Sequence, residues 1–312
     1  MNSLETKNFN LKATVESGQI FRWSRRSAGD ESGYNIIAGN AIMRVRHDGT
    51  GIDYDCSNTE FDVETFLGLN HNYRSIIANI SKDKIIAAAI KKHHGLRLIE
   101  QELWECTASF ICSSFSNIPR IRQCIEKVAA TFGDKIEFGG VKSYAFPQPQ
   151  QISSWAKLKK CGLGYRAKYL FETAKLFASN SEEYSQQQLK QLSYKKAKAK
   201  LLELPGVGSK VADCILLFSC GFHEAFPVDV WIQRIMEANY GSEIASFAAN
   251  SRSKAKKLNE KIIAGFARHY FGKHAGYAQQ FLFHNARTSE KPSPDKLDIG
   301  KVSELVVPSH EL

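Results

Sequence analysis

Two different hydrophobic periods run along this chain. Over the first 60 residues apolar side chains come in strand-like runs: Ile36-Ile37-Ala38 meets a Gly39-Asn40 turn, and Ile42-Met43-Arg44-Val45-Arg46 alternates up to an Asp48-Gly49 turn. A period of two broken by such turns predicts a small antiparallel sheet. From about Asp62 the period lengthens to that of a helix. Helices are expected over 62–80, 82–94, 99–114, 118–132, 165–179, 194–203, 209–220, 229–239, 253–271 and 274–286. After about Lys291 the chain turns to Pro, Ser and charge without periodicity, as loosely held tails do. The fold class read from this pattern is α+β: a β-rich N-terminal unit over residues 1–95, a helical unit over 96–290, and a flexible tail over 291–312.

Composition adds two constraints. A chain of 312 residues with 43% hydrophobic content buries a large core without disulfides or metals. Lys and Arg number 42 against 32 Asp and Glu, a net charge of +10; the stretch 290–312 holds three basic and five acidic residues, so the rest carries +12. Such a body suits a polyanion, with DNA, RNA and an anionic membrane equally compatible. No apolar run reaches the roughly 20 residues of a membrane span, so a soluble protein is expected. The seven cysteines (56, 106, 112, 124, 161, 214 and 220) form no CxxC pair and follow no signal peptide, which predicts reduced, mostly buried thiols in an intracellular protein.

The most informative stretch is Leu204-Pro205-Gly206-Val207-Gly208-Ser209-Lys210, between two helical segments. Glycines on either side of one apolar residue let the backbone turn tightly, and they leave bare N–H groups at a helix start where the dipole favours a phosphate. This is a helix-hairpin-helix, which grips DNA through Gly206, Val207 and Gly208 without reading sequence. An ordinary helix turn with a glycine cap uses the same GxG spacing.

Lys210 opens the second helix on the side opposite Val211, Ile215 and Phe218. The positive end of the dipole disfavours an ammonium there, so a dry site would favour the neutral, nucleophilic amine; a solvated lysine against phosphate fits the same position. Nineteen residues on, Pro227-Val228-Asp229-Val230-Trp231 opens another helix with Asp229 as its N-cap. Capping alone would account for Asp229. Taken together, a lysine and a carboxylate at two successive helix starts can converge on one cavity, where the carboxylate stabilises positive charge and steers protons.

These residues resemble a known family. Ser17-Gly18-Gln19-Ile20-Phe21-Arg22-Trp23, Phe110 to Ser114, Gly162 to Ala167, Leu204 to Cys214, Pro227 to Val230 and Ala275 to Gln279 are similar, in order, to motifs of the eukaryotic-type 8-oxoguanine DNA glycosylases of the helix-hairpin-helix superfamily. The resemblance runs from about Leu11 to Arg287. It implies a TBP-like N-terminal sheet, a helical core of two lobes, and a monomeric enzyme that excises 8-oxoguanine from duplex DNA and then cleaves the strand, with no cofactor and no catalytic metal. The iron–sulfur branch of the superfamily is excluded, since no cysteine follows Cys220.

Site roles follow from that resemblance position by position. Lys210 matches the lysine that attacks C1′ of the damaged nucleotide, and Asp229 the essential carboxylate. Gly18 matches the glycine whose carbonyl accepts the N7 hydrogen that oxidised guanine has and guanine lacks. Cys214 and Phe283 would sandwich the extruded base while Gln279 bonds its Watson–Crick edge; core packing is the competing role for Cys214 and Phe283. Arg120 and Arg166, with Asn117 nearby and Tyr165 as a wedge, would address the opposite strand. Two departures stand out. Phe115 occupies the place of an asparagine, and a phenyl ring stacks but reads no base edge, which implies relaxed choice of opposite base. Trp231 occupies the place of a histidine near the phosphates, and its indole N–H donates but carries no charge. Lys195, Lys196, Lys198 and Lys200, and later Arg252, Lys254, Lys256 and Lys257, add sequence-blind positive charge. Two alternatives stay open: an alkylated-base glycosylase, which needs no hairpin lysine, and a noncatalytic helix-hairpin-helix repair accessory, which needs none of Asp229, Gln279 and Gly18.

Overall fold

The computed structural model describes residues 2–26, 33–250 and 259–289. Five strands make one antiparallel sheet, β1 Asn2–Glu5, β2 Trp23–Arg25, β3 Gly33–Ala38, β4 Ala41–His47 and β5 Gly51–Cys56, in the order β1-β5-β4-β3-β2. The β3–β4 turn falls at Gly39-Asn40, with Ala38 opposite Ala41 and Ile37 opposite Ile42. In the next turn the Asp48 carboxylate accepts from the N–H groups of Thr50 (2.8 Å) and Gly51 (2.9 Å). Those bonds stabilise its charged form and hold its pKa down to about 2. Ile36, Met43, Val45 and Ile52 bury one sheet face against Val15, Phe66, Leu67 and Ile99.

The helices that follow are α1 Leu11–Val15, inserted between β1 and β2, then α2 Val63–Phe66, α3 Tyr73–Ile80, α4 Lys84–Lys92, α5 Leu103–Ser113 and α6 Ile118–Phe132. The single helix expected over 62–80 is therefore two. Asp62 caps α2 by accepting from Thr65 N (2.9 Å), and Asn72 caps α3 by accepting from Ser75 N (3.1 Å); a second N-cap inside a periodic run restarts the helix. A hairpin that the pattern did not announce comes next, β6 Lys135–Phe138 with β7 Val141–Tyr144. Then come α7 Trp155–Leu158, a π turn at Lys159–Leu163, α8 Arg166–Ser179, α9 Gln186–Gln191, α10 Tyr194–Leu201, α11 Ser209–Phe218, α12 Val230–Asn250, α13 Glu260–Phe271 and α14 Ala275–Ser289. Helix α12 runs on to Asn250 instead of ending near 239. The segment 251–258, with Arg252, Lys254, Lys256 and Lys257, and the tail 291–312 lie outside the described residues.

Helix α5 is the hub: Leu103 through Cys112 are all buried, and α6, α8 and α11 pack around it. Helices α3 and α4 come early in the chain, yet Tyr73, Ile76, Ile80, Ile86 and Ile90 join this helical core, and α14 packs on α4. A buried charge cluster ties sheet to hub. Arg22 pairs with Glu105 (3.5 Å) and Glu126 (3.3 Å), and the Glu105 carboxylate also accepts from Gly39 N (2.6 Å). Burial pushes Glu105 up to about 7 against the pull of Arg22. Removing one member of such a pair strands the other charge.

A second polar join links α14 to the N-terminal half. His71 Nδ1 lies 2.6 Å from Tyr277 Oη, and the His71 and His223 rings meet edge-on with centroids 4.6 Å apart. Burial pushes His71 down to about 4 and His223 to about 3 from an ordinary 6.5. The unfolded chain therefore binds more protons than the folded one between about pH 6.5 and 4, so stability held above that window is lost as pH falls through it. Denaturant unfolding followed from pH 7.5 to 4.5 should show a falling stability, by up to about 1.4 kcal/mol per pH unit for each histidine. The variant His223→Phe should flatten that slope, and a wild-type profile already flat across the window would contradict the assignment.

Candidate active site

The hairpin connects α10 to α11 as the motif predicts. Gly206 turns at φ +80, Val207 is buried as an anchor, and the Pro205 carbonyl accepts from Thr173 Oγ1 (2.8 Å). Gly208, at the N-cap of α11, has no side chain to cap the first turn and is itself exposed. The backbone N–H groups there face outward at the positive end of the helix dipole. The apolar side of α11 packs on α5, and that contact aims Lys210: its Nζ donates to Ser113 Oγ (2.9 Å) and lies 5.2 Å from the centre of the Phe110 ring. Ser113 Oγ in turn donates to the Phe110 carbonyl (2.8 Å). The ammonium is thus held by the end of the hub helix and half-buried.

Asp229 caps α12, accepting from Ile232 N (2.8 Å) through its side chain. Burial raises its pKa above the ordinary carboxylate value; the Ile232 N–H, the Lys210 charge and the Arg287 charge oppose that rise. Cys214, one turn beyond Lys210, is fully enclosed, and burial pushes its thiol up to about 12 with Lys210 and Asp229 beside it. Lys210, Cys214 and Asp229 therefore share one partly desolvated space.

Helix α14 supplies the opposite wall. It approaches α11 so closely that a Cβ on Gly276 would lie 2.2 Å from Leu217 Cδ1 and 2.8 Å from the Ala225 carbonyl oxygen, and the Gly276 N–H donates to the His223 carbonyl (2.7 Å). Only glycine fits there. Gln279, Phe283 and Arg287 follow at four-residue spacing on one face. Gln279 is 5% exposed and its Oε1 has no hydrogen-bond partner. Beside them lies the Ser17-Gly18-Gln19 turn, fastened on three sides. Gln280 Nε2 donates to the Ser17 carbonyl (2.9 Å), Gln19 Nε2 donates to the Arg97 carbonyl (2.8 Å), and Gln101 Nε2 donates to the Gln19 carbonyl (2.9 Å). Between the fastened residues Gly18 adopts φ +83, and a Cβ there would meet Arg287 Nη1 and Ile118 Cδ1 at 3.1 Å and Phe283 Cε1 at 3.3 Å.

A separate group of residues from the α5–α6 loop and the start of α8 faces outward. Phe115 is 98% exposed and has φ +47, a left-handed conformation that costs a side-chain-bearing residue of order 1–2 kcal/mol. Asn117 caps α6 by accepting from Arg120 N (3.0 Å), and the Arg120 side chain is exposed. Tyr165 is 54% exposed and stands edge-on to Tyr169. Arg166 is buried: it donates to the Ser114 carbonyl, to the Phe115 carbonyl (2.9 Å) and to the Leu163 carbonyl (3.4 Å), under the Tyr165 ring. Its guanidinium is a buttress for the Phe115 loop. Trp231 sits half-exposed in the first turn of α12. The sequence pattern brought Lys210 and Asp229 to notice and the family resemblance Cys214, Gly18, Gln279 and Phe283; neither singled out Ser113, Tyr169 or Arg287, whose signals were a hub-helix terminus, an exposed aromatic at helical spacing and an arginine two turns past Gln279.

Residues 3–107 match the N-terminal domain family of 8-oxoguanine DNA glycosylase, and residues 108–264 match the HhH-GPD superfamily of base excision DNA repair proteins. A probable N-glycosylase/DNA lyase of Methanothermobacter thermautotrophicus is 32% identical over 252 residues, covering 74% of this chain and 72% of the relative. This chain belongs to the 8-oxoguanine DNA glycosylase family. Two solved structures carry the same assignment into three dimensions. MBOgg1 bound to a low-affinity DNA ligand superposes with a TM-score of 0.82 at 34% identity, covering 93% of this chain and 96% of that one. The Clostridium acetobutylicum 8-oxoguanine glycosylase/lyase, bound to duplex DNA with cytosine opposite 8-oxoG, gives 0.79 at 30% identity, covering 92% and 98%.

Within this family member the buttress has a measurable consequence. Replacing Arg166 by leucine leaves the Ser114, Phe115 and Leu163 carbonyls without their donor, so Arg166→Leu should lose about 2–3 kcal/mol of stability in urea without any DNA present. A variant as stable as the wild type would remove the buttress role.

Proposed function

We propose that this chain is a bifunctional DNA glycosylase and lyase that flips 8-oxoguanine out of duplex DNA, excises it through a lysine Schiff base and cleaves the strand by β-elimination. The observation that carries this reading is the convergence of Lys210, held by Ser113, with the desolvated Asp229 and with an enclosed wall of unsatisfied polar groups on α14. The family assignment supports the same substrate class.

Lys210 Nζ gives up a proton and attacks C1′; the bond from C1′ to the base breaks, and the base leaves with a proton. Positive charge grows on the sugar as that bond stretches, and the Asp229 carboxylate lies where it stabilises the charge. Its raised pKa also makes it a better proton acceptor than an exposed carboxylate. The nitrogen sheds its extra proton and its lone pair expels O4′ from C1′; O4′ takes up a proton as the sugar ring opens, leaving the C1′=N Schiff base, and removal of a C2′ proton then expels the 3′ phosphate. Gly18 and Gln279 read the lesion's edges, and Cys214 and Phe283 flank its faces. Phe115 and Tyr165 fill the vacated stack, Asn117 and Arg120 face the opposite strand, and Gly206, Val207, Gly208 and Trp231 lie against the backbone. The N-terminal sheet and the helical core act as the two working units, with α3 and α4 belonging to the second. The seven cysteines are all free, which suits a reducing intracellular compartment, and among the described residues no helix is long and apolar enough to cross a membrane.

The alkylated-base reading has no use for Lys210, and the noncatalytic one has no use for an enclosed acceptor on Gln279. Borohydride treatment with an 8-oxoguanine duplex should trap the wild type covalently and leave Lys210→Gln free; an untrapped wild type ends the proposal. Single-turnover excision should fall as pH drops through a value above the ordinary carboxylate range, because the charge-stabilising carboxylate is lost there. Asp229→Asn should be slower by about 10²-fold or more and should lack that acid limb; an unchanged limb would exclude Asp229. With Phe115 reading no edge, excision rates opposite the four bases should lie within about tenfold of one another, and Phe115→Asn should widen the gap in favour of cytosine by about 1–3 kcal/mol. A wild type already restricted to cytosine would refute the role given to Phe115.

A further inference from the structure

Of three buried polar atoms on α14 without a hydrogen-bond partner, His284 Nδ1 lies off the Gln279 face, and the other two are of opposite character: Gln279 Oε1 accepts and Arg287 Nη1 donates. Between them on the same helical face stands Phe283, with the Arg287 guanidinium 5.3 Å from its ring centre. Successive members of this stripe are about 6 Å apart along the helix axis, a spacing comparable with the long dimension of a purine. A base lying on Phe283 with its Watson–Crick edge at Gln279 therefore turns its imidazole edge toward Arg287. Gly18 closes the same end: Arg287 Nη1 lies 3.1 Å from the position of a Cβ on Gly18. On the proposed function, the Gly18 carbonyl takes the N7 hydrogen of the lesion, and the atom next to N7 is C8.

We infer that Arg287 is a second lesion-reading residue, donating from its guanidinium to the C8 carbonyl oxygen of 8-oxoguanine. Guanine carries C8–H at that place, so it leaves the buried donor unpaired while also leaving the Gly18 carbonyl without N7–H. The two readers then act on adjacent atoms of one edge: an acceptor on the backbone for the new N–H, a donor on the side chain for the new oxygen. Unpaired buried groups are what separate a substrate from an analogue that lacks its polar atoms.

Arg287 also feels the charge of Asp229, so a competing role is to hold that carboxylate. The two roles part on an abasic duplex, where Lys210 and Asp229 work but no base is present. Arg287→Leu should slow 8-oxoguanine excision by about 10–100-fold more than it slows strand cleavage at a preformed abasic site. Arg287→Lys, which keeps a charged donor, should recover part of the loss. Equal losses on both substrates would assign Arg287 to Asp229 or to folding and overturn the inference. In a Lys210→Gln background that binds without cutting, Arg287→Leu should shrink the affinity ratio of 8-oxoguanine to guanine duplexes. A ratio that holds while both affinities fall would place the contact on O6, which both bases share, and overturn the inference too. Failure of wild-type borohydride trapping on the 8-oxoguanine duplex would instead strike at the proposed function and is read independently of these variants.

Discussion

The close approach of α14 to α11 at Gly276 is the contact on which the site depends. With no Cβ in the way, the two helices meet near Leu217 and the His223 and Ala225 carbonyls, and the Gly276 N–H locks the join. That contact fixes the start of α14, and α4, α12 and α13 seat the rest of the helix that carries Gln279, Phe283 and Arg287. A Cβ at 276 would lie 2.8 Å from the Ala225 carbonyl oxygen, so a larger residue there would have to shift the start of α14.

Desolvation is what this closeness produces, and it acts on several groups together. Cys214 becomes an inert, apolar surface because burial keeps its thiol protonated. Asp229 is kept as a reactive carboxylate because two nearby cations and a backbone N–H offset part of the cost of burying it. Gln279 and Arg287 each retain a buried polar atom without a partner on the same face of α14. Arg22 and Glu105 show the contrasting case, in which two buried charges are paired with each other while the half-exposed Glu126 carboxylate meets Arg22 from the outer side.

The outer face follows a different rule. Phe115 is exposed and held in a left-handed backbone by Arg166, which spends its donors on the loop carbonyls. Tyr165 and Tyr169 meet edge-on, and Tyr169 packs so closely on the hairpin that a Cβ on Gly206 would collide with it. Stacking surface and bare backbone amides thus lie side by side, matching what a duplex with one extruded nucleotide presents: a gap in the stack and phosphates along its rim.

Local physics made much of this legible in the sequence. The Gly39-Asn40 turn, the helical run over 118–132, the hairpin around Gly206 and Gly208, and the capping position of Asp229 depend on neighbours a few residues away, and linear patterns record such neighbours. Resemblance then pointed to Gly18, Gln279 and Phe283. What the chain order could not express was long-range: that 62–80 is split by a second cap, that α3 and α4 serve the helical core, that Ser113 receives the Lys210 ammonium, and that Arg166 turns inward to hold Phe115. Arg287 shows the reason most plainly. Its periodicity is that of any helix residue, and only the packing of α14 beside the Gly18 turn buries its Nη1 and leaves that donor without a partner.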